Sequence, residues 1–275
     1  MYRGRRRETG ASLVFVRPDP AFQPLPSRCT LRLPPIADTA TIGFSRKMSK
    51  VAAVLASVMA LLLIGLAIYG LDGYFDARSD AVALKARADR LIAQGRGPGD
   101  LGDGRVEQLL LVEDPGFLTH GGVDLDTAGS GLTTLTQSVG KRLGFRAFRP
   151  GVRKVRLVGY ALGLESRLTK PQILALYLDT VWMGPGPRTP MAGFFDASHQ
   201  IYGSSAAGLS DHDFLSLVAV PIAPRKFSLI HRSPALEERV ARIKRLVDKK
   251  CQPTGLRDVW LDGCATPLSG EFNLR

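Results

Sequence analysis

The feature that most limits the possible folds of this chain is a run of 21 uncharged residues, from Val51 to Leu71. At 1.5 Å per residue the run makes a helix of roughly 31 Å, about one hydrocarbon thickness. Basic residues precede the run and mainly acidic residues follow it, which predicts a cytoplasmic amino terminus and a folded part across the membrane. A cleaved signal peptide and a buried core helix are the alternatives. We expect an uncleaved transmembrane anchor over residues 48–73.

The net charge of +12 over 275 residues is unevenly distributed. Residues 1–50 contain ten Lys or Arg and three Asp or Glu, which gives +7, whereas residues 72–275 contain 27 basic and 22 acidic residues, which gives +5. The basic excess therefore lies mostly ahead of the apolar run, and it lacks interleaved aromatic residues. We expect no nucleic-acid partner.

Residues 1–47 contain six prolines and few long apolar runs, a composition that does not support a packed domain. Two interpretations stay open. The segment is either a disordered basic arm in the cytoplasm, attracted to anionic lipid, or a wrongly assigned start, with translation beginning at Met48.

The rest of the chain has a mainly helical pattern. Residues 74–104 are expected to form an amphipathic helix, continuing the anchor or lying at the membrane surface, and then a linker rich in helix breakers. A capping box is expected at Thr169, and a helix that begins with Ser233 and Pro234 is expected to end the domain. No strand series is dense enough for a sheet, so residues 105–250 are expected to form one mainly α domain.

Residues 251–275 are expected to be a C-terminal tail. Cys251 and Cys264 lie beyond the anchor, where the compartment is oxidising, so a local disulfide is plausible. Two free buried thiols are the alternative, and both stay open.

Residues 113–124, EDPGFLTHGGVD, concentrate carboxylates and a histidine around an aromatic ring. The adjacent carboxylates Glu113 and Asp114 point in different directions, so one can face a cleft while the other anchors the local structure. A carboxylate beside a ring such as Phe117 can have a raised pKa, which suits acid–base catalysis near neutrality. The alternative is a helix end with polar caps and a core histidine at His120.

Residues 131–142, GLTTLTQSVGKR, combine hydroxyl groups with an amide and a cation. Gln137 and Lys141 are four residues apart and share one helical face. Five further cations follow closely, at Arg146, Arg149, Arg153, Lys154 and Arg156. Such a set suits a phosphate or pyrophosphate ligand, and a solvated basic face or a patch against lipid headgroups is the alternative.

The order of these segments resembles the peptidoglycan glycosyltransferases of glycosyltransferase family 51, particularly the monofunctional biosynthetic transglycosylases. The resemblance covers about residues 105–247. The family's first motif, ED-x-x-F-x-x-H-x-G-x-D, matches at Glu113, Asp114, Phe117, His120, Gly122 and Asp124. The second, GGSTITQQLxKN, matches at Gly131, Thr134, Thr136, Gln137 and Lys141, and the third matches at Arg153, Lys154, Ala161, Leu164 and Glu165. Looser fourth and fifth blocks follow in family order.

The resemblance implies a mainly α, lysozyme-like glycosyltransferase domain on the outer face of the inner membrane, behind one transmembrane helix. It implies polymerisation of lipid II, with release of undecaprenyl pyrophosphate, and Glu113 as the general base. Lipid II, undecaprenyl-linked glycan, the inner membrane and cell-wall synthesis proteins are the implied partners. No metal site is predicted, and a need for a divalent cation (Mg²⁺ or Mn²⁺) stays open. The residues expected to bind substrate are Asp114, Phe117, His120, Thr134, Gln137, Lys141, Arg153 and Lys154.

One departure from the family pattern bears on activity. The family's second glutamate corresponds to Leu157, which cannot accept a proton, bind a metal or orient a pyrophosphate. Glu165 lies roughly 12 Å further along the same helix, too far to substitute for that glutamate. The expected function is therefore an active transferase, and the alternative is a catalytically impaired homologue that acts as a lipid II-binding or cell-wall-complex scaffold. A lytic hydrolase is disfavoured, because an uncharged leaving group gives no reason for the basic cluster.

Overall fold

The structure, a computed structural model, describes residues 45–265. The chain divides into a first unit, residues 1–51, and a second unit, residues 52–275. Residues 1–44 lie outside the described residues, and with them most of the expected basic arm or wrongly assigned start, including Cys29. Residues 266–275 of the expected tail lie outside them too. The fold described below is that of the second unit.

The described part of the chain is mainly α-helical, as expected. It contains eight α-helices, two short strands and three 3₁₀ turns at Pro98–Leu101, Ala206–Gly208 and Asp262–Cys264. In chain order the elements are α1 (Ser45–Ala93), α2 (Arg105–Glu113), α3 (Leu135–Leu143), α4 (Arg153–Glu165), α5 (Lys170–Thr180), β1 (Trp182–Gly184), β2 (Met191–Ala192), α6 (Phe194–Tyr202), α7 (Asp211–Ala219) and α8 (Pro234–Val247).

Helix α1 is one continuous helix of 49 residues. Within it, an 18-residue stretch has a mean hydropathy of 2.8, and none of that stretch is buried. Its large side chains are exposed, for example Val54 and Leu61. By its length and composition α1 can cross a membrane, which agrees with the anchor expected from the sequence.

The second half of α1 packs closely against α4. A Cβ added at Gly159 would lie 1.8 Å from the carbonyl oxygen of Gly70, so only glycine permits this approach. The Tyr160 hydroxyl donates a hydrogen bond of 2.7 Å to Asp80, and Arg156 forms ion pairs with the α1 carboxylates. Residues 74–93 thus continue the apolar helix and belong to the packed domain.

Helix α5 runs through the centre of the core. Residues 172–178 are all buried, which follows from the apolar run ILALYL. The expected capping box is present: Gln172 Oε1 accepts the backbone N–H of Thr169 at 3.0 Å. The aromatic rings of Phe194 and Phe214 pack in succession next to Tyr177.

Two short strands form an antiparallel hairpin after α5. Trp182 pairs with Ala192, and Gly184 pairs with Met191. The Pro- and Gly-rich residues 185–190 connect the two strands. No strand was expected here, because a pairing of two or three residues is too short for a periodic pattern to reveal.

Residues 251–265 fold back onto the domain, whereas the sequence suggested a tail from residue 251. Cys251 and Cys264 form a disulfide, which resolves the open alternative. The segment's backbone carbonyls accept the N–H groups of Gly129 and Gly131, at 3.0 and 2.8 Å. The Asp258 carboxylate accepts the N–H groups of residues 254, 262 and 263 and so holds the turn together. The domain therefore extends to at least residue 265.

Candidate active site

A cavity of about 550 Å³ opens between the end of α2, the last turn of α3, the end of α5 and the middle of α8. Its wall includes two of the predicted site residues, Glu113 and Lys141. The other polar or charged residues in the wall are Ser130, Thr133, Ser138, Arg142, Tyr177 and Arg239. One carboxylate therefore faces a cavity that holds three cationic side chains.

Glu113 is the last residue of α2 and is half-buried. Its Oε2 accepts a hydrogen bond of 2.8 Å from the hydroxyl of Tyr177, whose side chain is buried in α5. Burial raises the pKa of Glu113, and the bond from Tyr177 and the charges of Arg239 and Arg142 oppose that rise only in part. A carboxylate with a raised pKa and a free approach from a cavity can serve as a general base.

Lys141 and Arg142 lie in the last turn of α3. The Lys141 ammonium donates to the Thr133 hydroxyl at 3.3 Å, and burial together with the charges of Lys154 and Arg142 lowers its pKa. The Arg142 guanidinium donates to Ser138 at 2.8 Å and to Thr180 at 3.1 Å. Its Nη2 is buried and has no hydrogen-bond partner among the described residues.

Arg239 of α8 is a cavity residue that the sequence reasoning missed. Its side chain is 3% exposed, and burial lowers its pKa to about 10. Both Nε and Nη1 lack a partner in the part of the chain that the structure describes. A sequence signal did exist: Arg239 interrupts the apolar row that Leu236 and Ile243 form along α8, and a buried unpaired arginine is rare.

Asp114 and His120 form a buried network beside the cavity and do not line it. The Nε2 of His120 lies 3.0 and 3.1 Å from the two carboxylate oxygens of Asp114, and its Nδ1 accepts the N–H of Gly122 at 3.0 Å. Asp114 also accepts the N–H of Leu135 at 2.7 Å, the first residue of α3. Asp114 therefore joins the end of α2 to the start of α3. Of the two adjacent carboxylates, Glu113 faces the cavity and Asp114 anchors the local structure.

Three further predicted residues are buried in the framework around the site. Phe117 is 1% exposed, and Lys170 lies 4.5 Å from its ring. Thr134 caps α3 by accepting the N–H of Gln137 at 3.1 Å, and its hydroxyl donates to the carbonyl of Gly122 at 2.8 Å. Gln137 is buried as well. Contact between these three side chains and a substrate stays a prediction.

Arg153 and Lys154 are exposed at the start of α4, and neither lines the cavity. Lys154 donates to the carbonyl of Leu132 at 3.1 Å, and Leu132 does line the cavity, so this lysine stands at its rim. Arg153 donates instead to the carbonyl of Ala147 at 2.9 Å. The structure thus separates this predicted basic pair from the cations inside the cavity.

Leu157 is fully buried between α3 and α4, outside the cavity wall. A Cβ on Gly140 would lie 3.2 Å from its Cδ1, so the leucine fills the space opposite that glycine. Glu165 is held elsewhere, by Thr136 at 2.6 Å and Lys170 at 2.8 Å. As expected from the sequence, Glu165 does not take the place of a second carboxylate in the cavity.

Asp114, His120 and Asp124 offer ligand atoms within 4.8 Å of one another, the spacing of a metal site. Both nitrogens of His120 already form hydrogen bonds, and Asp124 Oδ1 accepts the N–H groups of Asp126 and Thr127, each at 3.0 Å. Hydrogen bonds thus engage both nitrogens of His120 and one oxygen of Asp124, whereas Asp124 Oδ2 is buried and has no hydrogen-bond partner among the described residues.

Comparison with known proteins finds a family match over the part of the chain that carries the motifs. The transglycosylase family model matches residues 100–248, more than half of the chain. A biosynthetic peptidoglycan transglycosylase of Shewanella oneidensis is 30% identical over 149 residues, covering 50% of this chain and 62% of the relative.

Two further relatives match a similar share of this chain. A biosynthetic peptidoglycan transglycosylase of Aeromonas hydrophila is 28% identical over 158 residues, covering 53% of this chain and 66% of that protein. Penicillin-binding protein 1A of Escherichia coli is 26% identical over 158 residues, covering 52% of this chain and 18% of that protein. The chain spans less than two thirds of the length of each of these three relatives. Because the family model matches more than half of its residues, the chain belongs to the transglycosylase family.

Proposed function

We propose that this protein is a peptidoglycan glycosyltransferase that polymerises lipid II into glycan strands and releases undecaprenyl pyrophosphate. One observation carries the proposal: Glu113, whose pKa is raised by burial, faces a cavity that also holds Lys141, Arg142 and Arg239. Two of the relatives are named biosynthetic peptidoglycan transglycosylases, which supports the same activity.

In the proposed reaction Glu113 acts as the general base. The 4-hydroxyl of one sugar attacks the anomeric carbon of the other, and its proton passes to the Glu113 carboxylate as the new carbon–oxygen bond forms. The bond between the anomeric carbon and the pyrophosphate oxygen breaks, and the oxygen leaves with the electron pair. A base of this kind contributes about 10²–10⁴-fold in rate, and works best when its pKa lies near the operating pH.

The cationic side chains in the cavity stabilise the leaving group. A departing pyrophosphate keeps its negative charge and needs positive charge more than it needs a proton. Lys141 is half-buried, and partial burial strengthens its attraction for an anion relative to an exposed lysine. Lys154 at the rim supports the same role from outside the cavity.

We propose further that α1 anchors the domain in the inner membrane, with the amino terminus in the cytoplasm and the catalytic domain in the periplasm. The length and apolar surface of α1 support an anchor, and the basic residues before it support this orientation. This arrangement would place the cavity where a lipid-linked substrate lies. Binding to cell-wall synthesis proteins belongs to the same proposal.

Leu157 favours a second candidate, a catalytically impaired homologue that binds lipid II or a cell-wall complex as a scaffold. The leucine stands where the resemblance implies a glutamate, and it is buried outside the cavity wall, so it supplies no charge to the reacting centre. Against this candidate, Glu113 and Lys141 both remain in the cavity wall.

The experiment that tests the proposal is polymerisation of labelled lipid II by the full chain in detergent, read as glycan strands on a gel, with and without Mg²⁺ or Mn²⁺. The wild type should form polymer, and Lys141→Ala should form far less. Lys244→Ala, which removes an exposed lysine of α8, is the matched control and should act as the wild type. Absence of polymer under every cation condition, together with measurable lipid II binding, would favour the scaffold.

A further inference from the structure

Two arginines in the cavity, the half-buried Arg142 and the buried Arg239, have buried hydrogen-bond donors that no described residue accepts. These donors are Nη2 of Arg142 and both Nε and Nη1 of Arg239. A buried donor without a partner is costly to stability, and more so on a charged group. The fold therefore keeps unsatisfied hydrogen-bond donors in the cavity wall. A ligand that accepts hydrogen bonds from these donors would remove the energetic cost.

Neither arginine makes a direct ion pair, although the charge of the Glu113 carboxylate in the same cavity acts on both. In the described residues, no carboxylate lies within 4.0 Å of the guanidinium nitrogens of Arg142 or Arg239. Arg242, three residues further along α8, makes the contrast plain: it pairs with Glu238 at 2.9 Å and with Asp262 at 2.7 Å. Arg245 of the same helix has a buried Nη2 without a hydrogen-bond partner among the described residues, but it lies 3.9 Å from Glu238. Arg239 thus lacks an ion pair that both of these α8 arginines have.

The two side chains are also well positioned. Arg142 is fixed by hydrogen bonds to Ser138 and Thr180 and lies over the Tyr177 ring, at 5.2 Å from its centre. The Arg239 side chain is 3% exposed, and this burial restricts its movement. Because both guanidinium groups are held before any ligand enters, little side-chain entropy is lost when they bind one.

We propose that Arg142 and Arg239 together bind one anionic oxyacid group, a phosphate or a carboxylate, of the molecule that enters the cavity. The inference rests on the proposed function only for the identity of that molecule. It differs from the expectation drawn from the sequence, which assigned such an anion to Lys141 and the cations that follow it, Arg153 and Lys154 among them. Lys141 remains in the cavity, while Arg153 and Lys154 lie outside its wall.

Calorimetric titration of the full chain in detergent with two simple anions tests the proposal. Inorganic pyrophosphate represents the phosphate source and N-acetylmuramic acid the carboxylate source. Arg239→Met and Arg142→Gln should each weaken binding about 10- to 100-fold, the usual effect of losing hydrogen bonds to a charged group. Arg242→Met, which removes an ion-paired arginine from the same helix, is the control and should bind as the wild type.

The anion that binds more weakly to the two cavity variants than to the wild type shows which oxyacid group the arginines bind. Weaker binding of pyrophosphate alone assigns a phosphate, and weaker binding of N-acetylmuramic acid alone assigns a carboxylate. No binding of either anion to the wild type, or equal affinities in the wild type and both cavity variants, would overturn the proposal.

Thermal unfolding distinguishes ligand binding from a structural role. Replacing an unpaired buried charge by an apolar side chain of similar length should leave the Tm of Arg239→Met unchanged or raise it. If Arg239→Met does not fold, the anion affinity of Arg239→Lys is measured instead. Weaker anion binding than that of the wild type supports the proposal, and unchanged affinity overturns it. Neither measurement needs turnover, so a failure to polymerise lipid II would refute the proposed function and leave this inference standing.

Discussion

The hydroxyl of Tyr177 donates a hydrogen bond of 2.8 Å to Oε2 of Glu113, which connects the buried centre of α5 to the last residue of α2. The bond fixes the orientation of the proposed base. It also lowers the pKa of Glu113 against the larger effect of burial, so it favours the ionised form that can accept a proton. Tyr177 is therefore a positioning residue for Glu113.

Tyr177→Phe keeps the ring and removes the hydroxyl. Without that donor the pKa of Glu113 rises further, so the acid limb of the profile of kcat/KM against pH should move to higher pH. At pH values below the pKa of Glu113 we expect roughly tenfold slower turnover, which corresponds to the free energy of one hydrogen bond. Tyr160→Phe is the control, because it removes a similar bond, to Asp80 at 2.7 Å, outside the cavity. An acid limb that stays in place in Tyr177→Phe would exclude this role for the tyrosine.

Glu113→Gln should make the protein more stable at neutral and alkaline pH. Because burial raises the pKa of Glu113, the folded state disfavours the ionised carboxylate, and the wild type loses stability as pH rises from the ordinary carboxyl range through the raised pKa. Glutamine does not ionise. The difference in Tm between variant and wild type should be smallest in acid, grow as pH rises and then level off. A difference that is independent of pH would contradict a raised pKa.

Leu157→Glu should not raise the rate of polymerisation, although it introduces the glutamate that the resemblance implies at this position. Leu157 is fully buried opposite Gly140 and outside the cavity wall, so a glutamate there buries a charge without a partner. We expect a loss of several kcal/mol in the free energy of unfolding and slower polymerisation. Leu157→Met preserves volume and is the control. Faster polymerisation by Leu157→Glu would mean that this position reaches the substrate.

Cys251→Ser/Cys264→Ser should lower the Tm. The disulfide closes a short loop, with a sequence separation of 13, and such a loop contributes about 3 kcal/mol. The closed segment also forms part of the cavity wall through Val259. A Cβ on Gly131 would lie 2.7 Å from this valine. Reductant should lower the Tm of the wild type and leave the double variant unchanged. An equal change in Tm on adding reductant to the wild type and to the double variant would contradict a disulfide between Cys251 and Cys264.

The sequence predicted the helical fold because its signals are local. The apolar run before Leu71, the capping box at Thr169 and the Ser233–Pro234 start each depend on neighbouring residues, and the structure has a helix at each of these places. The folding back of residues 251–265 depends on a distant partner, the loop at Gly129 and Gly131, and no local pattern encodes such a contact.

The site was predicted in part, for the same reason. Motif spacing identified Glu113 and Lys141, and both line the cavity. The resemblance singled out Glu113 as the base, but it grouped Asp114 with the substrate-binding residues, because spacing does not reveal that the Asp114 side chain faces the framework. Arg239 was missed because α8 reaches the cavity only through tertiary packing, although an arginine on an apolar row was visible in the sequence.

The most direct test of the central claim, that Glu113 is the base of a glycosyltransferase, compares initial rates of lipid II polymerisation by the wild type, Glu113→Gln and Glu107→Gln. Glu107 is an exposed glutamate of the same helix, so its variant controls for the loss of a carboxylate from α2. Lipid II binding is measured on the same preparations. We predict that Glu113→Gln polymerises at least about 100-fold more slowly while binding lipid II as the wild type does, and that Glu107→Gln polymerises at the wild-type rate. A wild-type rate for Glu113→Gln would contradict the account.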